Sequence, residues 1–136
     1  MKMERIRYQG WPNCIRLQAG DVELIATTDI GPRVIRFGFV GGLNVLKEYA
    51  DQMGLVGGDE WRIYGGHRLW HAPEAKPRTY SPDNDPVEWN WDGAVLQLRQ
   101  PVERSTGIEK QIEICAGSDG SDFLLRHRLI NRSCWD

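Results

Sequence analysis

Short runs of alternating apolar and polar residues recur along most of the chain, and glycine, proline or Asp-Gly ends many of them. Such runs are typical of β-strands that bury one face. The 136 residues include 15 glycines and 7 prolines, which supply the turns that many short strands need. The only helical feature expected is a single turn near residues 45–51. The pattern therefore predicts an all-β chain.

Several of these runs are predicted to pair as antiparallel hairpins. A glycine-bearing turn separates the runs at residues 14–18 and 22–28, and Asp92-Gly93 separates the runs at 87–91 and 94–100. Further alternating runs lie at residues 35–40, 108–114 and 123–129. Strands of this length and spacing predict an antiparallel β-sandwich, which we take to be a single domain over residues 1–136.

Composition and charge exclude several classes of function. Hydrophobic residues make up 40% and charged residues 26% of the chain, and the net charge is −2. No basic patch indicates nucleic acid, no apolar run is long enough for a membrane span, and the N-terminus has no apolar signal segment. We therefore expect a cytoplasmic protein with no nucleic-acid or membrane partner.

Three widely spaced cysteines, Cys14, Cys115 and Cys134, form no C-x-x-C pair. Free structural thiols are the favoured interpretation, and a zinc site built on them is disfavoured. The chain also has no G-x-x-x-x-G-K-[ST] motif and no G-x-G-x-x-G motif in a strand–helix setting. We therefore expect no cofactor.

The central segment, residues 53–85, lacks the alternation seen elsewhere. It contains several glycines and prolines together with Trp61, Tyr64, Trp70 and Tyr80. A loop of this length in a small domain is usually functional or disordered, and the aromatic residues argue against disorder. This segment is therefore the predicted functional loop.

The stretch YGGHRLWHAPE within that loop carries the candidate catalytic and binding groups. His67 and His71 are candidate proton donors, because imidazole titrates near neutral pH. Arg68 can hold hydroxyls, phosphate or carboxylate, and Glu74 is a further candidate polar contact. An indole can stack on a sugar ring, so Trp61 and Trp70 join the binding candidates. The alternative is a rigid loop that packs under the sandwich, and residue chemistry alone leaves both open.

A metal site at His67, His71 and Glu74 is the weaker interpretation. The spacing would place these three side chains on one face of a helix, but Gly65-Gly66 and Pro73 oppose a helix. The run SPDNDP lacks the EF-hand glycine and glutamate positions, so we interpret it as a turn. No metal is expected.

For two other residues the sequence favours an ordinary structural role over a functional one. His127 lies on the apolar side of a predicted strand and is expected to be a core histidine bonded to backbone. Arg33 follows Gly31-Pro32 and is expected to be solvated, although we keep it among the candidate substrate-binding residues.

The order of motifs resembles the front half of galactose mutarotase-like proteins, the group of aldose 1-epimerases and hexose-6-phosphate epimerases. The resemblance rests on four stretches, which are CIRLQAGDVELIATTDIGPRVIRFGFVGGLNVLKE, GGHRLWHAPE, DGAVLQLRQPVERSTGIEKQIEI and LRHRLINRSCW. It covers nearly the whole chain, and the nearest branch is an uncharacterised one. Gly65-Gly66-His67-Arg68 falls where relatives carry a segment that lines the sugar pocket.

This resemblance implies a two-sheet supersandwich, of which the chain would be an incomplete front half. In such enzymes a histidine acid and a glutamate base open and reclose the sugar ring. These groups lie mainly in the second half, and Glu74 does not match the position of the base. The chain is therefore expected to bind a sugar or sugar phosphate without a complete catalytic set.

Two alternatives to this epimerase-like function stay open. One is a non-catalytic carbohydrate-binding sandwich. The other is a structural or interaction module that self-associates through open strand edges. The end of the sequence favours open edges, because it follows a predicted strand with Cys134 and Trp135, two residue types that are usually buried.

Overall fold

Two antiparallel sheets account for the regular structure of the chain. The computed structural model describes residues 1–134, is 45% strand and contains no α-helix in that range. The two sheets pack face to face in a sandwich-like arrangement. The predicted all-β antiparallel fold is confirmed.

The first sheet is built from sequential strands, each paired with the next. The strands are β1 (Lys2–Tyr8), β2 (Trp11–Ala19), β3 (Val22–Thr27), β4 (Arg33–Phe39) and β5 (His67–Arg68). The predicted hairpin around Gly20 is present, although β2 begins three residues earlier than its alternation indicates. Strand β1 carries charged residues on both faces and was not predicted, because only its pairing with β2 makes it a strand.

The second sheet repeats this meander with the remaining strands. They are β6 (Glu88–Trp91), β7 (Val95–Arg99), β8 (Ile108–Ala116) and β9 (Phe123–Asn131), in that order. Gly93 has φ +100°, and Asp92 Oδ1 accepts hydrogen bonds from the backbone N–H groups of Ala94 at 2.9 Å and Val95 at 2.8 Å. The predicted Asp92-Gly93 turn is therefore confirmed.

The main hydrophobic core lies between the two sheets. It joins aliphatic side chains of β2, β3 and β4 to those of β7 and β8, and the buried members are Ile15, Leu17, Leu24, Ala26, Val34, Val87, Leu96, Leu98, Ile112 and Ile114. Each fully buried aliphatic side chain of leucine, isoleucine or valine contributes about 1.5–3 kcal/mol. This layer provides the main attraction between the sheets.

A second cluster lies on the opposite face of the first sheet. It contains Trp11, Cys14, Ile25, Ile30, Ile35 and Tyr64, all buried. The long loop contributes Tyr64 to this cluster, and the Trp11 indole donates a hydrogen bond to the Leu55 carbonyl at 3.1 Å. The central loop thus buries the outer face of the first sheet, which explains why β3 is apolar on both sides.

The turn expected near residues 45–51 forms slightly later, where the Tyr49 carbonyl accepts hydrogen bonds from the backbone N–H groups of Gln52 at 2.9 Å and Met53 at 3.2 Å. Before it, Glu48 forms an isolated antiparallel bridge with Gly65. Asn44 Oδ1 accepts hydrogen bonds from the backbone of Phe37 at 3.1 Å and Leu46 at 3.0 Å. This side chain therefore ties the loop after β4 to the end of that strand.

The cysteines occupy three different environments and are all free. Cys14 is buried, and desolvation raises the pKa of its thiol to about 11. Cys115 is partly buried. Cys134 is exposed, and Trp135 lies outside the described residues.

Residues 1–134 include no helix with the length and hydropathy that a membrane span requires.

Candidate functional site

A glycine pair brings the candidate residues to the edge of the first sheet. Gly65 and Gly66 have φ angles of +105° and +71°, a region that favours glycine. A Cβ atom on Gly65 would collide with the Lys47 carbonyl, and one on Gly66 would collide with the Val34 carbonyl. These two glycines therefore allow the loop to turn tightly against β4 and continue as β5.

The register of β5 sends its two side chains to opposite faces of the sheet. His67 lies opposite Val34, a core residue, and Arg68 lies opposite Arg33. Directly opposed residues of an antiparallel pair share a face. His67 therefore points toward the second sheet, and Arg68 points toward the loop that covers the outer face.

His67 meets His127 of β9 at the rim of the sandwich. The two Nε2 atoms are 2.7 Å apart, and the ring planes are inclined by 64°. One neutral imidazole can donate to the other at this distance. His127 is exposed, so the expectation of a core histidine bonded to backbone is wrong. The core between the sheets does not extend as far as this position of β9.

The environment of this imidazole pair disfavours protonation of His67. Burial lowers the pKa of His67 below its ordinary value, and the nearby charges of His127 and Arg33 lower it further. The neutral form of His67 is therefore favoured.

On the other side of β5, three aromatic side chains surround Arg68. Its Cζ atom lies 4.5 Å from the centroid of Trp70 and 5.5 Å from that of Trp61. The two indoles are nearly parallel, inclined by 16°, and Tyr80 meets both edge-on. We call these four residues the aromatic–arginine cluster.

Four buried donor atoms of this cluster have no hydrogen-bond partner within the described residues. All three guanidinium nitrogens of Arg68 are covered and unpaired, and so is Nε1 of Trp61. Burial lowers the pKa of Arg68, while the carboxylates of Asp83 and Glu103 oppose that shift. Buried donors without acceptors are costly, so this cluster lacks oxygen atoms that a ligand could supply.

His71 lies in a separate, buried network of charged groups. Its Nε2 is 3.4 Å from Oε2 of Glu103, and the same oxygen accepts a hydrogen bond from Thr106 at 2.7 Å. The other Glu103 oxygen forms an ion pair with the ammonium of Lys110. Nδ1 of His71 is buried without a partner among residues 1–134.

Arg33 is fully buried, so its expected solvation is wrong. Its guanidinium donates to the carbonyls of Ile63 at 2.9 Å and Gly65 at 2.6 Å. It also forms an ion pair with Asp83 at 2.8 Å. These bonds tie the loop to β4 and use both terminal nitrogens, so Arg33 supports the position of β5.

Glu74 and Tyr80 lie at the outer margin of the aromatic–arginine cluster. Glu74 is exposed, and the Tyr80 hydroxyl donates a short hydrogen bond to its carboxylate. This bond is the main reason why the pKa of Tyr80 is raised. Glu74 therefore orients an aromatic wall of the cluster.

A cavity of about 500 Å³ is lined in part by Glu103 of the buried network, and the four residues of the aromatic–arginine cluster are not among its lining residues. Its walls include Asp83, Gln100 and Glu103, together with Ser81, which follows Tyr80 in the chain. Asp83 Oδ1 and Gln100 Oε1 are buried acceptors without a donor within the described part of the chain. A cavity of this size can hold one small ligand, and its wall offers acceptors where the aromatic–arginine cluster offers donors.

The predicted candidates thus separate into three neighbouring environments. Arg68, Trp61 and Trp70 come together, with Glu74 at their margin, whereas His67 lies on the other face of β5 and His71 in the buried network. Among residues 1–134, no group of three or more His, Cys, Asp or Glu side chains could hold a metal ion.

Sequence reasoning missed three residues of these environments, of which Glu103 and Tyr80 contact the candidates and Lys110 pairs with Glu103. Lys110 lies among the isoleucines of β8, which indicates a buried charge. Its partner Glu103 lies in a loop and gave no comparable signal. Tyr80 was noted only as an aromatic residue of the loop, and its contact with the indoles depends on the tertiary fold.

Comparison with protein-family models, with curated proteins and with solved structures yields no match to this chain.

Proposed function

We propose that the chain binds a carbohydrate, a sugar or sugar phosphate, at the aromatic–arginine cluster and the adjoining cavity. One observation carries this proposal. Four buried donor atoms, three of Arg68 and one of Trp61, lack acceptors within the described residues. A sugar hydroxyl or phosphate oxygen supplies acceptors, and indole faces pack on the C–H face of a pyranose.

The cavity wall supports a ligand that carries hydroxyl groups. Asp83 Oδ1 and Gln100 Oε1 require donors, while Arg68 and Trp61 require acceptors. A hydroxyl group can both donate and accept. The charges of Asp83 and Glu103 act on Arg68, which links the two regions electrostatically.

The resemblance to galactose mutarotase-like proteins supports the same ligand class. Under this proposal His71 would be the imidazole nearest to the ligand, because it contacts Glu103 in the cavity wall, whereas His67 faces the second sheet. The chain would have a sugar-binding wall and an incomplete catalytic set. Its expected mutarotase activity is therefore little or none, and polarimetry on freshly dissolved α-glucose and α-galactose measures it.

The binding test is a tryptophan fluorescence titration with galactose, glucose and their 6-phosphates. Trp70 is 38% exposed and covers Arg68, so a ligand that reaches the guanidinium should change indole emission. Arg68→Met should weaken binding at least about tenfold, because it removes charge-assisted hydrogen bonds. Arg126→Met is the matched control, since Arg126 is an exposed arginine with a surface ion pair to Glu113.

The titration also separates the two sugar classes and the alternative functions. Stronger binding of the phosphates than of the plain hexoses, lost in Arg68→Met, would assign a phosphate to Arg68. Equal binding by both variants would remove Arg68 from the site. No response to any of the four ligands would contradict carbohydrate binding and favour an interaction module.

We propose self-association through β9 as a second candidate function. This nine-residue strand ends the second sheet and has no strand on its outer side within residues 1–134. Leu124 and Leu129 on it are 56% and 46% exposed, and an open edge of this length can pair with another chain. Sedimentation velocity should show a dimer that Leu129→Lys weakens, whereas a monomer over the full concentration range would argue against it.

A further inference from the structure

The unpaired buried polar atoms in the wall of the 500 Å³ cavity are all hydrogen-bond acceptors. Asp83 is 6% exposed and Gln100 is 7% exposed, and neither Asp83 Oδ1 nor Gln100 Oε1 has a donor within the described residues. Glu103, the third such residue, is already ion-paired with Lys110. No buried donor of the lining residues lacks a partner in the described part of the chain. A ligand group that fits this wall must therefore donate hydrogen bonds without needing to accept any.

The same wall carries uncompensated negative charge. Asp59 and Asp85 line the cavity and are exposed, and their carboxylates form no ion pair within residues 1–134. The carboxylates of Asp83 and Glu103 are each matched by a buried cation. Arg104 is the one basic residue among the lining residues. Two unpaired carboxylates against one guanidinium leave the wall with an excess of negative charge.

These two features of the wall select a cationic amine among the groups that a small ligand can present. An ammonium group has three N–H donors, no acceptor and a positive charge. A hydroxyl group has one donor and no charge, so it satisfies this wall less completely. A phosphate or carboxylate group brings further acceptors, and its charge is repelled by the unpaired carboxylates. Hydrogen bonds from a charged donor are also about twice as strong as neutral ones.

We propose that the cavity binds the positively charged amine of an amino sugar, a hexosamine with a free ammonium group. This inference rests on the proposed carbohydrate binding, in which the sugar ring packs on the aromatic–arginine cluster while the ammonium group enters the cavity. Tyr80 of the cluster is followed directly by Ser81 of the cavity wall. The charges of Asp83 and Glu103 also act on Arg68, so the two regions are adjacent.

The experiment is calorimetric titration of the full chain with galactosamine, galactose and N-acetylgalactosamine at low ionic strength. The three sugars share one ring, and only galactosamine carries an ammonium group. We expect galactosamine to bind at least about tenfold more tightly than galactose, because its hydrogen bonds are charge-assisted. N-acetylgalactosamine should bind no more tightly than galactose. The advantage of galactosamine should shrink as salt is added, because salt screens its attraction to the exposed carboxylates.

Two variants test the wall in different ways. Asp59→Asn combined with Asp85→Asn removes only exposed charge, and it should weaken galactosamine binding by about threefold or more without changing galactose binding. Gln100→Met removes an unpaired buried acceptor. It should weaken galactosamine binding by about threefold or more while the urea midpoint stays the same or rises, since a buried acceptor without a donor is costly. Asp21→Asn is the matched control, because exposed Asp21 precedes β3 and lies at the opposite end of that strand from the cavity.

The outcomes separate this inference from the proposed carbohydrate binding. Equal affinity for galactosamine and galactose would overturn the ammonium assignment and leave carbohydrate binding in place. Unchanged galactosamine affinity in the folded double variant would also overturn it, and far-ultraviolet circular dichroism checks the fold. Because that variant changes only exposed residues, the test does not depend on whether Gln100→Met folds. If none of the three sugars binds, both proposals fail.

Discussion

At the scale of single residues, buried polar groups distinguish this chain from an ordinary sandwich. Arg33 and Asp83 form one buried ion pair, and Lys110 and Glu103 form another. Buried ion pairs contribute little net stability, but removing one partner leaves an uncompensated charge. These residues position the loop and the candidate site more than they stabilise the fold.

Lys110→Met should therefore destabilise the chain by about 3–5 kcal/mol, because it leaves Glu103 charged and buried. Adding Glu103→Gln in the same chain should recover a large part of that loss. Urea unfolding followed by tryptophan emission measures both changes. If the single substitution were nearly neutral, the two groups could not be a buried ion pair in solution.

His67 should give the fold a dependence on pH. Its pKa is lowered from 6.5 in the folded chain, so the unfolded chain binds the proton more readily. The stability contributed by neutral His67 is then present above about pH 6.5 and is lost as the pH falls from there toward the lowered folded value.

Urea unfolding at about pH 7.5 and about pH 5.5 tests this dependence. Wild type should lose more stability on acidification than His67→Gln does. In His127→Gln, the pKa of His67 measured by NMR titration should be closer to its ordinary value, because the charge of His127 no longer lowers it. An identical loss of stability in wild type and His67→Gln would contradict the account of the imidazole pair.

At the scale of elements, the two-residue strand β5 depends on the turn before it. Gly66→Ala should cost at least about 2 kcal/mol, because it combines a left-handed backbone with a collision at the Val34 carbonyl. Gly41→Ala is the matched control, since Gly41 has φ +73° with nothing close to its added Cβ. Urea midpoints that fall equally in both variants would show that close packing at Gly66 is unimportant.

The strands and turns show where sequence patterns succeed. Alternation and glycine turns predicted β2, β3, β4 and β6 to β9, because apolar residues recur at alternate positions of their sequences between turn residues. Strand β1 was missed because charged residues interrupt its pattern. Strand β5 was missed because two residues are too few to show an alternating pattern. Its pairing also depends on β4, which is distant in the sequence.

The candidate site was predictable in composition but not in arrangement. The loop sequence indicated Arg68, Trp61 and Trp70 as binding residues, and the fold brings them together. His127 was assigned to the core because Leu125 and Leu129 lie on the same face of its strand. Only the extent of the opposing sheet reveals that its position lies at the rim, where it meets His67.

At the scale of the whole molecule, the central loop is a third layer over the first sheet. It buries Trp11, Ile25 and Ile35 on one side and carries the aromatic–arginine cluster. Its ties to the sheet run through Arg33, the Gly65-Gly66 turn and the Glu48 bridge. The site is thus built on a loop whose position is fixed from several directions.

This arrangement makes a specific prediction about ligand binding. If the central loop presents unpaired donors to a carbohydrate, these donors must gain acceptors when the ligand binds. The affected atoms are the nitrogens of Arg68 and Nε1 of Trp61. During a ligand titration, the chemical shifts of the protons on those nitrogens should change more than those of other N–H groups.

The most direct measurement is a ¹H–¹⁵N correlation spectrum that follows the Trp61 indole and Arg68 Nε–H signals during titration with galactose and galactose 6-phosphate. We predict that both signals shift in a saturable way, with one common affinity, while the Trp11 indole, already bonded to Leu55, stays in place. Saturable shifts confined to other parts of the chain, or no saturable shift with either ligand, would contradict carbohydrate binding at the aromatic–arginine cluster.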